Sequence, residues 1–67
     1  MIEKTPVRRY QALAIASALE LYARTGMRAN SAYTPRNMIS AAGRILDQVQ
    51  PKRDYVGTAK RLREWAA

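Results

Sequence analysis

A chain of 67 residues has room for one domain with a small core, and a net charge of +7 is high for that length. The chain contains neither cysteine nor histidine, which excludes a disulfide framework, a thiolate metal site and the commonest general base. Twelve lysines and arginines against five acidic residues favour a polyanionic partner, such as nucleic acid, an acidic host protein or anionic lipid.

The sequence carries no pattern typical of secretion or of a membrane span. The start, MIEKT, has charged residues and no hydrophobic region, unlike a signal peptide. The longest run without charge, residues 10–19, is about half of the roughly 20 residues that a membrane helix needs. We therefore expect a cytoplasmic protein with no membrane partner.

The first predicted helix runs from about residue 6 to residue 25, after a polar lead-in of residues 1–4. Thr5 suits the N-cap, Pro6 the first helical position and Gly26 a left-handed C-cap. Large apolar residues cover well over half of its circumference. They are Val7, Tyr10, Leu13, Ile15, Leu19, Leu21 and Tyr22, and Ala14 and Ala18 lie on the same broad face. A face this wide predicts either a central helix covered on all sides or the interface of a homodimer.

The charged residues of this helix lie at its two ends, and their positions predict interactions. Arg8 and Arg9 stand in the first turn, where they oppose the helix dipole, which indicates another role for them. Near the other end, Glu20 and Arg24 have the spacing of an i,i+4 ion pair.

Residues 26–34 form a long predicted loop before the second helix. Met27, Arg28, Asn30 and Tyr33 are residue types common on contact surfaces, so this loop is a candidate partner-binding element. The alternative is a plain connector.

A second Thr-Pro start, at Thr34, predicts an amphipathic helix over residues 35–49. Its apolar residues fall in an arc of roughly 120°. They are Met38, Ile39, Ala42, Ile45, Leu46 and Val49. Gly43 lowers helix stability by about 1 kcal/mol relative to alanine, which is tolerable if another backbone comes close there.

The third predicted helix covers about residues 55–66, with Asp54 as its N-cap. Tyr55, Ala59, Leu62 and Ala66 repeat with helical spacing along one face. No stretch has the pattern of a strand. The sequence therefore predicts one all-α domain over residues 1–67, a compact three-helix bundle with the first helix at its centre.

A cluster of cations near the C-terminus is the strongest candidate binding feature. The candidate phosphate contacts are Lys52, Arg53, Lys60, Arg61 and Arg63, with Arg44 as an added neighbour. The second and third helices also have the outline of a helix-turn-helix. Against this, the turn lacks glycine and the last helix has no Asn or Gln to read base edges. The alternative is a solvated polar face.

Catalysis has little support in the sequence. The five carboxylates are scattered, and none pairs with another at helical spacing. There is no phosphate-binding loop, zinc-ligand spacing or nucleophile motif. We expect a non-enzyme that uses no metal and no cofactor.

Three stretches of the chain carry a resemblance to a known family. The segments RYQALAIASALELYARTGMRAN and AYTPRNMISAAG, followed by a Tyr and a closing LREWA, resemble short open reading frames of tailed phages and prophages. The resemblance covers most of the chain. It implies a phage or prophage origin, and hence the cytoplasm of a bacterial host, but no particular mechanism.

Three functional hypotheses follow. The first is a non-catalytic phage or prophage accessory protein that contacts nucleic acid through the C-terminal cations. The second is an interaction module that inhibits or redirects a host or defence protein through the 26–34 loop and the basic surface. The third is a structural homo-oligomer that pairs through the wide apolar face of the first helix.

Overall fold

The computed structural model describes residues 5–67 and contains three helices and no strand within that range. The helices are α1 (Pro6–Thr25), α2 (Pro35–Leu46) and α3 (Tyr55–Ala66). The predicted all-α three-helix fold is therefore confirmed. The expected polar lead-in, residues 1–4, lies outside the described residues. Within residues 5–67, none of the helices combines the length and apolar character that a membrane crossing requires.

The helix starts follow from the capping residues that the sequence supplies. The side chains of Thr5, Thr34 and Asp54 each accept a hydrogen bond from the backbone N–H three residues later, at 3.2, 3.2 and 3.1 Å. Each bond satisfies one of the N–H groups that a helix leaves unpaired at its start. At the end of α1, Gly26 adopts the left-handed conformation, with φ of 74°.

The second helix ends earlier than predicted. It stops at Leu46, because Asp47 turns into the left-handed region with φ of 56°. The N–H groups of Asp47 and Gln48 both bond to the carbonyl of Gly43, which closes the last turn. The prediction that Val49 belongs to the helical core face is wrong, since its side chain is 93% exposed.

The early end of α2 lengthens the segment that joins it to α3. This segment, residues 47–54, is called the connector below. It is longer than the turn of about three or four residues that defines a helix-turn-helix. The predicted outline of that motif is therefore not reproduced.

The closest helix pair is α1 with α3, and the two run antiparallel. At one end, Nε of Arg9 donates a 2.9 Å hydrogen bond to the carbonyl of Ala66. At the other end, the rings of Tyr22 and Tyr55 meet edge to face, with centroids 5.2 Å apart. The bond to Ala66 accounts for the position of Arg9 in the first turn of α1, because a cation there is stabilised by the C-terminal dipole of α3.

The buried face of α1 is rich in alanine. Fully buried alanines occur on all three helices, and small side chains let helix backbones approach closely. The core consists of Ala12, Ile15, Ala16, Ala18, Leu19, Met38, Ile39, Ala42, Ile45, Ala59, Leu62 and Ala66. Val7 and Tyr10, placed on the core face by the sequence pattern, are 75% and 77% exposed. In the part of the chain that the structure describes, α1 is thus not covered on all sides, while the homodimer stays a prediction.

Candidate functional site

Arg61, one of the predicted phosphate contacts, organises the connector. Its Nε donates to Oε1 of Gln50 at 2.7 Å, and its Nη2 lies 3.0 Å from Oδ2 of Asp54 and 3.4 Å from Oγ1 of Thr58. Gln50 is only 5% exposed, and its Nε2 donates to the carbonyl of Gln48 at 2.8 Å. One guanidinium therefore holds the middle of the connector and the start of α3 together.

Arg63 is also engaged within the molecule. Its guanidinium forms a bidentate pair with the Glu20 carboxylate, at 2.6 and 2.9 Å, and reaches Oγ of Ser17 at 3.2 Å. The sequence predicted that Glu20 pairs with Arg24, but in the structure Glu20 pairs with Arg63 on α3. The pair contributes little net stability at such exposure, but it fixes the direction of both side chains.

Each of the two arginines lowers the pKa of the carboxylate that it pairs with. The hydrogen bond from Arg63 lowers the pKa of Glu20 below its ordinary value of 4.5. The hydrogen bond from Arg61, followed by that from the Gly57 N–H, lowers the pKa of Asp54 below 3.8. Both carboxylates are therefore ionised at neutral pH and offset the charges of their arginines.

Four other cations line one open groove between α2 and the connector. They are Arg36, Arg44, Lys52 and Arg53, and we call this surface the basic groove. All four side chains are exposed. The ion pairs found among residues 5–67 are those of Arg61 and Arg63, so these four cations have no acidic partner there. Asp47 is the one acidic residue among the lining residues described.

The helical period explains how α2 contributes two of these cations. Arg36 and Arg44 are two turns apart and share a face with Ser40, which also lines the groove. The rise between the two arginines is about 12 Å along the helix axis. Arg36 was not among the predicted site residues, although its spacing from Arg44 was visible in the sequence.

Lys60 does not join this group. Its side chain is exposed on α3 and is not part of the groove lining. Of the six predicted phosphate contacts, the structure thus brings together Arg44, Lys52 and Arg53, pairs two others internally and leaves Lys60 apart.

The predicted partner-binding residues of the 26–34 loop differ in their contacts within the protein. Oδ1 of Asn30 accepts hydrogen bonds from the N–H groups of Ala32 and Tyr33, at 2.9 and 3.1 Å. Tyr33 is half-buried against the core, whereas Met27 and Arg28 are exposed. Asn30, although exposed, and Tyr33 therefore shape the loop.

Gly43 has the close backbone approach that the sequence suggested. A Cβ atom at this position would lie 3.3 Å from the carbonyl oxygen of Gln48 and 3.8 Å from Cα of Val49. The connector thus folds back onto the last turn of α2. This contact places Val49 beside the groove cations, a position that helical periodicity did not indicate.

Among residues 5–67, no cluster of acidic side chains has an arrangement that could hold a metal ion. A scan against protein-family models found no match, and searches of curated proteins and of solved structures found none either.

Proposed function

We propose that this protein is a small non-catalytic binding protein that contacts nucleic acid through the basic groove. One observation carries the proposal: four exposed cations converge on one groove, and none has an acidic partner among residues 5–67. Each cation is available to a phosphate at no cost in broken internal pairs. Arg61 and Arg63 are left out of the contact set because a phosphate would have to displace Asp54 or Glu20.

The charge of the chain supplies the driving force in this proposal. Cations that neutralise phosphates release condensed counterions, which gives affinity that does not depend on sequence. Guanidinium groups also bind phosphate oxygens in a two-pronged geometry, and three of the four groove cations are arginines. The resemblance to phage and prophage reading frames supports an accessory role in a bacterial host.

The proposal predicts a salt-dependent affinity that the groove cations control. In a titration of a labelled oligonucleotide between about 50 and 200 mM salt, the affinity should fall steeply as salt rises. The double variant Lys52→Gln, Arg53→Gln should reduce the slope of log affinity against log salt by about 1.4 to 1.8, because two phosphate contacts are lost.

Lys60→Gln is the control, matched to the single variant Lys52→Gln, since each removes one exposed lysine and Lys60 lies outside the groove. It should leave the slope close to that of the unmodified protein. No binding at low salt, or equal effects of a groove lysine and Lys60, would contradict the proposal.

A further inference from the structure

The basic groove has apolar as well as cationic lining. The apolar lining residues are the exposed Val49, the buried Ile39 and the half-buried Tyr55, which accompany three arginines and one lysine. The ring of Tyr55 is held edge to face against Tyr22, so its place in the lining is fixed. The groove therefore offers apolar contacts beside its charges.

Val49 is the most exposed large apolar residue described, at 93%. Its exposure is built into the fold, because both of its neighbours in the chain are anchored. Gln48 donates its N–H to the Gly43 carbonyl at 3.0 Å, and the side chain of Gln50 is buried and hydrogen-bonded to Arg61. The connector therefore presents an isopropyl group from a fixed backbone, next to the cations.

A groove with both cations and apolar groups favours single-stranded over double-stranded nucleic acid. In a duplex the faces of the bases are stacked inside, so a protein that meets the phosphates reaches only sugars and base edges. In a single strand the faces are accessible, and proteins bind such strands by combining a cationic groove with side chains, chiefly aromatic ones, that contact the base faces.

We infer that the basic groove takes an unpaired strand, with phosphates on its three arginines and its one lysine and a base face on Val49. This inference rests on the proposed function and adds the class of nucleic acid to it. Arg61 acts as a positioning residue, since its bond to Gln50 holds the backbone that directly follows Val49.

The test compares a labelled oligonucleotide of roughly 12 nucleotides, within the site sizes of small single-strand binders, with the same strand annealed to its complement. The single strand should bind about tenfold more tightly at equal salt. Val49→Ser should weaken single-strand binding about three- to tenfold at every salt concentration, without changing the salt slope, because it removes an apolar contact and no charge.

Val56→Ser is the matched control, because Val56 is also exposed, at 65%, and lies outside the groove. It should leave both affinities unchanged. Circular dichroism of the two variants should match the unmodified protein, since neither residue belongs to the core.

The possible results distinguish the preference for an unpaired strand from the proposed binding of nucleic acid itself. Binding of the duplex as tight as that of the single strand, or equal effects of the two serine variants, overturns the inference while the proposed function stands. No salt-dependent binding of either probe overturns both.

Discussion

Replacing Leu19 with alanine is expected to destabilise the protein by about 2–5 kcal/mol. Leu19 is completely buried and is among the largest fully buried side chains. Its loss removes apolar contacts and leaves a cavity that close-packed alanines on the neighbouring helices cannot fill. A domain of this length has a total stability of roughly 3–10 kcal/mol, so the loss is a large fraction of the total and should lower the urea midpoint markedly.

The control for this prediction is Leu13→Ala on the same helix. The chemical change is identical, but Leu13 is 39% exposed, so the loss should be nearer to about 1 kcal/mol. Urea unfolding followed by circular dichroism measures both values. Equal losses at the two positions would contradict the observed buried face of α1.

Replacing Arg61 with methionine is expected to cost about 1–3 kcal/mol of stability. The change keeps most of the length of the side chain but removes the guanidinium that bonds to Gln50. The amide oxygen of Gln50 is then left in a buried position without its donor, which is the costly part of losing a hydrogen bond.

Arg63→Met provides the comparison, because its partner Glu20 lies at the surface. Loss of this exposed pair should change the stability less than the Arg61→Met substitution does. Both variants can be measured by urea unfolding at neutral pH. A larger loss for Arg63→Met than for Arg61→Met would show that Arg61 does not organise the connector.

The sequence predicted the helices well wherever local chemistry determines their ends. Thr5, Thr34, Asp54 and Gly26 act as caps in the structure as their residue types indicated. The end of α2 was misplaced because apolar periodicity continues to Val49, whereas the hydrogen bonds to the Gly43 carbonyl stop the helix at Leu46. Periodicity carries no information on where a backbone turns out of the helix.

The buried face of α1 was harder to predict for a different reason. Alanine is compatible with core and surface alike, and the large residues Val7 and Tyr10 dominated the sequence pattern. In the structure the helices pack at buried alanines, which leaves the two large residues exposed. Which face is used depends on the shapes of all three helices together.

The candidate site was predicted only in part. The sequence located most of its cations but could not show which are neutralised, because Arg63 finds Glu20 at a separation of 43 residues. Arg36 joins the site through its spacing from Arg44, and Val49 through the fold of the connector. The Arg36–Arg44 spacing was readable in the sequence, whereas the pairing of Arg63 and the position of Val49 arise from tertiary structure.

The central claim is that nucleic acid occupies the basic groove, and amide chemical-shift mapping tests it most directly. The ¹⁵N-labelled protein is titrated with an unlabelled single strand at low salt. We predict that the largest shifts fall on the outer face of α2, at Arg36, Ser40 and Arg44, and on the connector amides of residues 49, 50, 52 and 53. Shifts concentrated around Val56 and Lys60 on α3, or in the 26–34 loop, would contradict the account.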